Sequence, residues 1–577
     1  MVRKRLIYTV APVATEGSVH FDEGDRPRVP PAPLPTAVEP PVFRPLKVYA
    51  FDPSLGHTPG GVMTIPVRYE KLQPGPVGDR VAVIDYDRSR KCFYDPVDLD
   101  DPLIIMRGGL DPTESDPHFH QQMAYAVTCE TLRRSEAALG RIVCRRTAGD
   151  VAPLRLFVYP HAMNEANAYA SVVDGSMFLG YFRAGENATG RTVPGQTVFS
   201  CLSHDVLVHT TMHAVVMGIR PDLIPGVSDL ADDPDLPAFH EGFCDTAALL
   251  LHFSYREAVL DTIQRTAGSI HRTLLEADGS AAADGARIQA EVVAGNPLLA
   301  MGQGFGEAMG KTGGLRNAIG KKPDPTDLQR LQEPHERGGI LVAALMDAFF
   351  SIYLRRSLDL FRIYRAGGAR LDDGHLPAPL AERLYAEVNA IAARIFNTCI
   401  RALDYCPACT MTLGDFLRAC ITADYEYDPA DDLAVRPALM QAFQWRGIKP
   451  ASAHFYSEEA LRWPLVDSRS LKAAGPAFIG MPEPDRSSQQ QNERALRAFV
   501  EKNAHALGLR PRIPVELQPL EVTRLAAADR DLRVVMSTTA VQRKKRAKES
   551  QRAPSGVRLI FDRTGKLRYV IAAGASA

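Results

Sequence analysis

Two histidines and two carboxylates have the spacing of residues that hold a transition metal. His209 and His213 are four positions apart, and so are Glu241 and Asp245 further along the chain. Residues i and i+4 lie on one face of a helix, so both imidazoles can reach one ion. Carboxylate oxygens and imidazole nitrogens both bind zinc, and a second carboxylate can orient a ligand imidazole. The pattern predicts Zn²⁺ bound by His209, His213 and Glu241, with Asp245 beside a ligand histidine.

Two helices must position these side chains. The first is predicted over about 205–217, with Ser203 as its N-cap and with Gly218 and Pro221 marking its end. The second is predicted over 237–253. Acidic residues are also favoured in the first turn of a helix. That preference accounts for carboxylates at this place but not for their coincidence with the histidine pair.

The composition and the predicted secondary structure change along the chain. Residues 1–45 are rich in proline and predict an extended arm, and residues 46–200 are rich in short β-prone segments separated by turns. Helical periodicity dominates 201–465. Residues 466–577 read as a linker with a boundary at 482–492, followed by a small C-terminal domain that has a short helix over 493–507 and two β-segments flanking a turn at Thr564 and Gly565. The order of elements predicts an α+β fold, in which strands and helices are segregated.

Together, the four metal-site residues resemble the motif of the gluzincin metallopeptidases, the thermolysin and fungalysin type. The segment Asn167-Ala168-Tyr169, followed by residues 175–180, resembles the edge strand that binds substrate backbone in those enzymes. Three further segments, 119–123, 334–338 and 399–406, resemble a group of uncharacterised bacterial gluzincin-like proteins. The resemblance covers roughly residues 46–465.

This resemblance implies a zincin-like architecture. A β-rich N-terminal part and a mainly helical second part would enclose the metal cleft, and a small α/β appendage would follow at the C-terminus. Asn167 and Ala168 would hold a peptide by adding it to a sheet edge. His335 would match the histidine that stabilises the oxyanion of the transition state. A histidine at the start of a helix, without a catalytic role, explains His335 equally well.

One position departs from the family pattern. The motif of the family is H-E-x-x-H, and Thr210 stands at the place of its glutamate. That glutamate is the general base, and Thr has no comparable basicity. Three interpretations follow: a zinc-retaining pseudo-peptidase that binds a peptide or a protein segment, an active metallohydrolase with Asp205 or His335 as substitute base, and a relic without metal. We favour the first over the second, so whether the chain is an enzyme stays open.

Composition excludes several classes of function. The chain has 67 Lys and Arg against 68 Asp and Glu, a balance that argues against nucleic acid as its main partner. No apolar run approaches the roughly 18 residues that span a bilayer, so no membrane partner is expected. The nine cysteines form an odd, scattered set that is typical of reduced thiols. With no recognisable targeting segment at the N-terminus, these features predict a cytoplasmic protein.

Overall fold

The computed structural model describes most of the chain. The described residues are 42–147, 150–171, 174–224, 234–264, 303–310, 322–366, 376–481, 484–510, 514–527, 530–542 and 555–573. The predicted Pro-rich arm lies outside them apart from residues 42–45. Within that remainder, Phe43 already begins the first strand.

The N-terminal part combines short strands with one long helix. Its elements are β1 (Phe43–Tyr49), β2 (Val62–Arg68), β3 (Val81–Val83), β4 (Tyr86–Asp87), β5 (Cys92–Phe93), α1 (Pro102–Met106), α2 (Pro117–Leu139), β6 (Cys144–Thr147), β7 (Asp150–Pro153), β8 (Leu156–Met163), β9 (Ala168–Ser171), β10 (Ser176–Arg183) and β11 (Thr197–Phe199). α2 begins where the Asp116 side chain accepts a hydrogen bond from the His118 N–H (3.0 Å), and it ends at Gly140 in the left-handed region (φ 77°).

A five-stranded sheet forms the centre of this part. Its order is β11-β10-β8-β3, and β9 pairs with the first half of β10. β3, β8 and β10 run parallel to one another, whereas β9 and β11 run antiparallel to β10. β8 is buried almost throughout, as expected for a parallel strand covered on both faces, and α2 packs against it.

The second part is helical. Its helices are α3 (His204–Ile219), α4 (Asp235–His252), α5 (Gln303–Ala308), α6 (Asp327–Arg330), α7 (Pro334–Ala366), α8 (Ala378–Ala402), α9 (Leu413–Tyr427), α10 (Val435–Gln444) and α11 (Glu458–Leu461). One large apolar core runs through both parts, beginning at Leu46 in β1, and it also includes Ile560, Tyr569 and Ile571 near the C-terminus. The two parts therefore share one hydrophobic interior.

Helix α7 is unusually long and apolar. Between Pro334 and Tyr364 it is long and apolar enough to cross a membrane, with a mean hydropathy of 1.5 over its most apolar window. The sequence analysis expected no apolar segment of this length, and helix α7, in which Asp347 lies, corrects that expectation. Because 83% of that window is buried inside the fold, largely against α4, the helix has the surroundings of a core helix.

The C-terminal part is a helix on an antiparallel sheet. It contains α12 (Arg486–Asn503), β12 (Val515–Leu517), β13 (Glu521–Ala527), β14 (Arg530–Gln542), β15 (Ser555–Asp562) and β16 (Leu567–Ile571). It has a small core of its own. Buried Arg558 joins it to the helical part by contacting Asp404 Oδ1 at 2.5 Å, and within the C-terminal part it also contacts Glu521 Oε2 at 2.9 Å.

The mixed α and β composition that the sequence predicts is confirmed. The β15–β16 hairpin also lies where the sequence predicts it, around Thr564 and Gly565. The predicted boundary at 482–492 is wrong in its second half. Residues 487–491 belong to the first turns of α12, which begins at Arg486 because the Asp485 carboxylate accepts a hydrogen bond from the Ser488 N–H (2.7 Å).

Candidate metal centre

Helices α3 and α4 bring the three predicted zinc ligands together. His209 Nε2 lies 3.0 Å from His213 Nε2. One carboxylate oxygen of Glu241 lies 3.5 Å from His209 Nε2, and the other lies 3.5 Å from His213 Nε2. The three side chains form one of the groups whose donor atoms could hold a metal ion.

These separations fit the donor set of a zinc site. Four ligands arranged tetrahedrally at about 2.0–2.1 Å from zinc lie about 3.3–3.4 Å from one another. The distances of 3.0 and 3.5 Å between donor atoms bracket that value. Two imidazole nitrogens and a carboxylate leave one tetrahedral position for another ligand, which is the arrangement of catalytic rather than structural zinc sites.

Asp245 lies where the sequence predicts it. Its Oδ1 atom is 2.6 Å from His209 Nδ1, within hydrogen-bond reach. Asp245 is buried, one helical turn after Glu241 on the same face of α4. A carboxylate at Nδ1 favours the tautomer that carries its proton there and leaves Nε2 to face His213 and Glu241.

Two glycines allow a third helix to reach the site. A Cβ atom on Gly242 of α4 would lie 2.5 Å from the Gly338 carbonyl oxygen of α7, and one on Gly338 would lie 2.7 Å from the Ala238 carbonyl oxygen. The two backbones therefore pack at a separation that larger residues would prevent. Arg337 and Asp235 strengthen this contact through a buried ion pair, with Arg337 Nε 2.6 Å from Asp235 Oδ1.

The close approach of α4 and α7 brings His335 to the ligand carboxylate. His335 Nδ1 lies 2.7 Å from Glu241 Oε2, and the side chain is 32% exposed. His335 is also the second residue of α7, so the helix-start interpretation describes its position correctly. It reaches the centre through Glu241, whereas the three-residue donor group does not include it.

The surroundings of Glu241 favour its charged form. Burial by itself would raise the pKa of this carboxyl, but His213, His335 and His209 outweigh that effect and hold the pKa well below its usual range. A carboxylate is the form that binds a metal.

The sequence reading missed His240 as part of the site. Its ring stacks on that of His213 at 5.9 Å between centroids and 8° between planes. The His240 Nε2–H donates to the Leu223 carbonyl oxygen (2.8 Å), which fixes its orientation. Burial lowers the pKa of His240 below its ordinary value, so a neutral ring supports His213. The sequence feature that could have indicated a role for His240 in the site is its position next to Glu241.

Thr210 lies on α3 next to His209 but does not direct its hydroxyl hydrogen toward the candidate site. Its Oγ1–H donates to the Val206 carbonyl oxygen (2.7 Å) of the preceding turn, and the residue is 1% exposed. Asp205, considered as a substitute base, belongs to a different buried group: its Oδ1 lies 2.5 Å from His252 Nε2 and 3.7 Å from His204 Nδ1.

The strand expected to bind substrate lies against the helix that carries the histidine pair. β9 contacts α3 and pairs with β10 in the register Ala168 with Leu179. The main-chain groups of Asn167 and Ala168 are engaged within the protein. The Asn167 carbonyl accepts from the Gly180 N–H (2.9 Å), and the Ala168 N–H donates to Asn167 Oδ1 (2.9 Å). A peptide added at this edge would have to displace the second of these bonds or use the residues that follow.

Comparisons of the chain with known protein families and with curated proteins found no match. The functional argument therefore rests on the geometry of the centre and on the residues that form it.

Proposed function

We propose that the chain is a zinc-binding protein of the gluzincin-like, zincin-fold type, in which peptide hydrolysis is impaired and the cleft binds a peptide or protein segment. One observation carries the proposal: His209, His213 and Glu241 converge within 3.0–3.5 Å of one another while Asp245 orients His209. Four side chains on two helices then have the types and contacts of a zinc site with its outer carboxylate.

In this proposal each residue of the centre has a separate role. His209, His213 and Glu241 would hold the ion, which supplies a Lewis acid when bound. Asp245 keeps the His209 proton on Nδ1. Thr210 stands where a general base is needed, but its hydroxyl hydrogen is directed to Val206 and it carries no carboxylate. Proton transfer of this kind is typically worth about 10²–10⁴ in rate, so its loss favours binding over turnover.

Strand β9 supports a peptide as the bound molecule. Among the strands that the structure describes, it pairs with β10 alone, so its other edge can accept an extended chain. It also lies against α3, which carries the two histidines.

An active hydrolase is the second candidate, and His335 is the observation that favours it. Of the two substitute bases considered, Asp205 is engaged by His252, whereas His335 lies 2.7 Å from a ligand carboxylate and is partly exposed. Histidine is the side chain that most often acts as a general acid or base in enzymes. This candidate requires that cleavage depend on His335.

The decisive experiment replaces Thr210 by glutamate. Thr210→Glu rebuilds H-E-x-x-H without removing a ligand, and Thr210→Gln is the matched control, with nearly the same volume but no base. If only the base is missing, Thr210→Glu gains zinc-dependent cleavage of a peptide library while Thr210→Gln and the unmodified protein stay at background. Circular dichroism and zinc binding of both variants establish that they fold.

Three other outcomes decide against all or part of this proposal. Cleavage by the unmodified protein that chelators remove, and that His335→Ala also removes, establishes the active-hydrolase candidate. Failure of the unmodified protein to bind zinc removes both candidates. Absence of peptide cleavage by a folded, zinc-loaded Thr210→Glu protein contradicts the statement that only the general base is missing.

A further inference from the structure

A second group of metal-binding side chains lies in the N-terminal part and shares no residue with the first. It consists of His120 on α2, His161 on β8 and Cys201 in the turn between β11 and α3. All three are buried, and their donor atoms lie within 4.8 Å of one another. The three residues are far apart in the sequence, so no local motif indicates that they lie close together.

The outer nitrogen of each imidazole is bound to an acceptor. His161 Nδ1 lies 2.7 Å from Asp85 Oδ1, and His120 Nε2 lies 3.1 Å from the Glu114 carbonyl oxygen. Asp85 is itself fixed, since its Oδ2 accepts a hydrogen bond from Gln121 Nε2 (2.9 Å). A carboxylate on one ligand histidine and a backbone carbonyl on the other are the usual outer partners in metal sites.

These bonds leave the two inner nitrogens facing each other. His120 Nδ1 and His161 Nε2 are 2.9 Å apart. When both outer nitrogens carry hydrogen, two neutral rings present lone pairs to one another, and a buried pair of this kind needs a positive charge between them. A shared proton satisfies two nitrogens. The sulfur of Cys201 adds a third donor at the same point and favours a metal ion.

We propose that His120, His161 and Cys201 form a second metal site that takes zinc or a similarly thiophilic divalent ion. The donor set of two imidazoles and one thiolate suits such ions and excludes magnesium and calcium, which prefer oxygen. Binding releases the thiol proton of Cys201, because the thiolate is the ligand.

A cavity reaches the two histidines of the group. His120 and His161 line a space of about 450 Å³ together with Arg90, Tyr94, Glu114 and Tyr181. The Tyr181 hydroxyl donates to Asp87 Oδ2 (2.8 Å), and Arg90 Nη1 donates to the Tyr94 hydroxyl (3.2 Å). Several polar side chains of the cavity wall are therefore held in place, and the cavity offers an ion an entry path to the two histidines.

Cobalt is the probe that separates the two sites. Co²⁺ bound to a thiolate absorbs in the near ultraviolet through sulfur-to-metal charge transfer, and the His209 centre contains no sulfur. The full chain titrated with Co²⁺ should show this band. It should persist in the double variant His209→Ala, Glu241→Ala, which destroys the first centre. The test therefore holds even if the proposed function fails.

Substitution of the cysteine completes the test. Cys201→Ser should remove the band, while Cys406→Ser should keep it, since Cys406 is an equally buried cysteine whose Sγ donates to the Ala402 carbonyl oxygen (3.2 Å). Absence of the band from the unmodified, folded protein would overturn the proposal and leave a proton shared between the two imidazoles. Loss of the band on Cys406→Ser with retention on Cys201→Ser would also overturn it.

Discussion

Replacement of Asp245 by asparagine should weaken zinc binding without removing a ligand. Asp245 Oδ1 lies 2.6 Å from His209 Nδ1, and the carboxylate is almost fully buried, so solvent screens this contact little. Loss of such an outer partner typically costs 10–100-fold in metal affinity. Because the contact is short and buried, we expect the upper part of that range, which corresponds to about 2–3 kcal/mol of binding free energy.

The assay is a competition titration with a chromogenic zinc chelator. It is best done in a Cys201→Ser background, so that the His209 centre alone is counted. The matched control is Asp347→Asn, which replaces a carboxylate equally buried in a contact with Arg446 (2.5 Å). The control should lower thermal stability and change zinc affinity by no more than roughly twofold. Equal affinity of Asp245→Asn and the parent protein would refute the assignment of Asp245 as the group that orients His209.

Three further perturbations test the account. Gly242→Ala introduces a Cβ 2.5 Å from the Gly338 carbonyl oxygen and should cost about 1–3 kcal/mol of unfolding free energy, measured by urea denaturation, while weakening zinc binding; unchanged stability would contradict the close approach. Thr210→Val removes a hydroxyl that bonds within α3 and should leave zinc affinity unchanged in the same titration; a clear loss would make Thr210 a member of the site. Burial alone would raise the pKa of Asp404, but the neighbouring arginines, Arg558 among them, outweigh it and lower the pKa. Its stabilising contribution is therefore present above about pH 4 and lost as the pH falls below that value. Asp404→Asn should accordingly unfold with a weaker dependence on pH between about 4 and 2, and an undiminished dependence would contradict this origin.

The positions of the ligands could be predicted because they depend on local spacing. His209 and His213 share a helical face whatever surrounds the helix, and so do Glu241 and Asp245. The meeting of the two helices was inferred from the coincidence of the two spacings and from a resemblance. Contacts set by backbone packing between distant segments left no such signal. The close approach of α7 to α4 depends on Gly242 and Gly338. The presence of a glycine in each of two helical segments does not indicate that these two helices pack against each other.

The second group of donor residues also could not be predicted from local spacing in the sequence. His120, His161 and Cys201 come from a helix, a strand and a turn, and the packing of these three elements against one another brings them together rather than any repeat in the sequence. The N-terminus of α12 was misplaced for a different reason. Serine and glutamine at 487–491 resemble a linker in composition, and the capping Asp485 overrides that impression.

Diffraction at the zinc absorption edge tests the central claim most directly. Crystals of the full chain grown with zinc should give an anomalous peak about 2.0–2.2 Å from His209 Nε2, His213 Nε2 and a carboxylate oxygen of Glu241. A second peak at His120 and His161 would be compatible with this result. Absence of a peak at His209, with the three side chains placed as they are here in zinc-saturated crystals, would contradict the account.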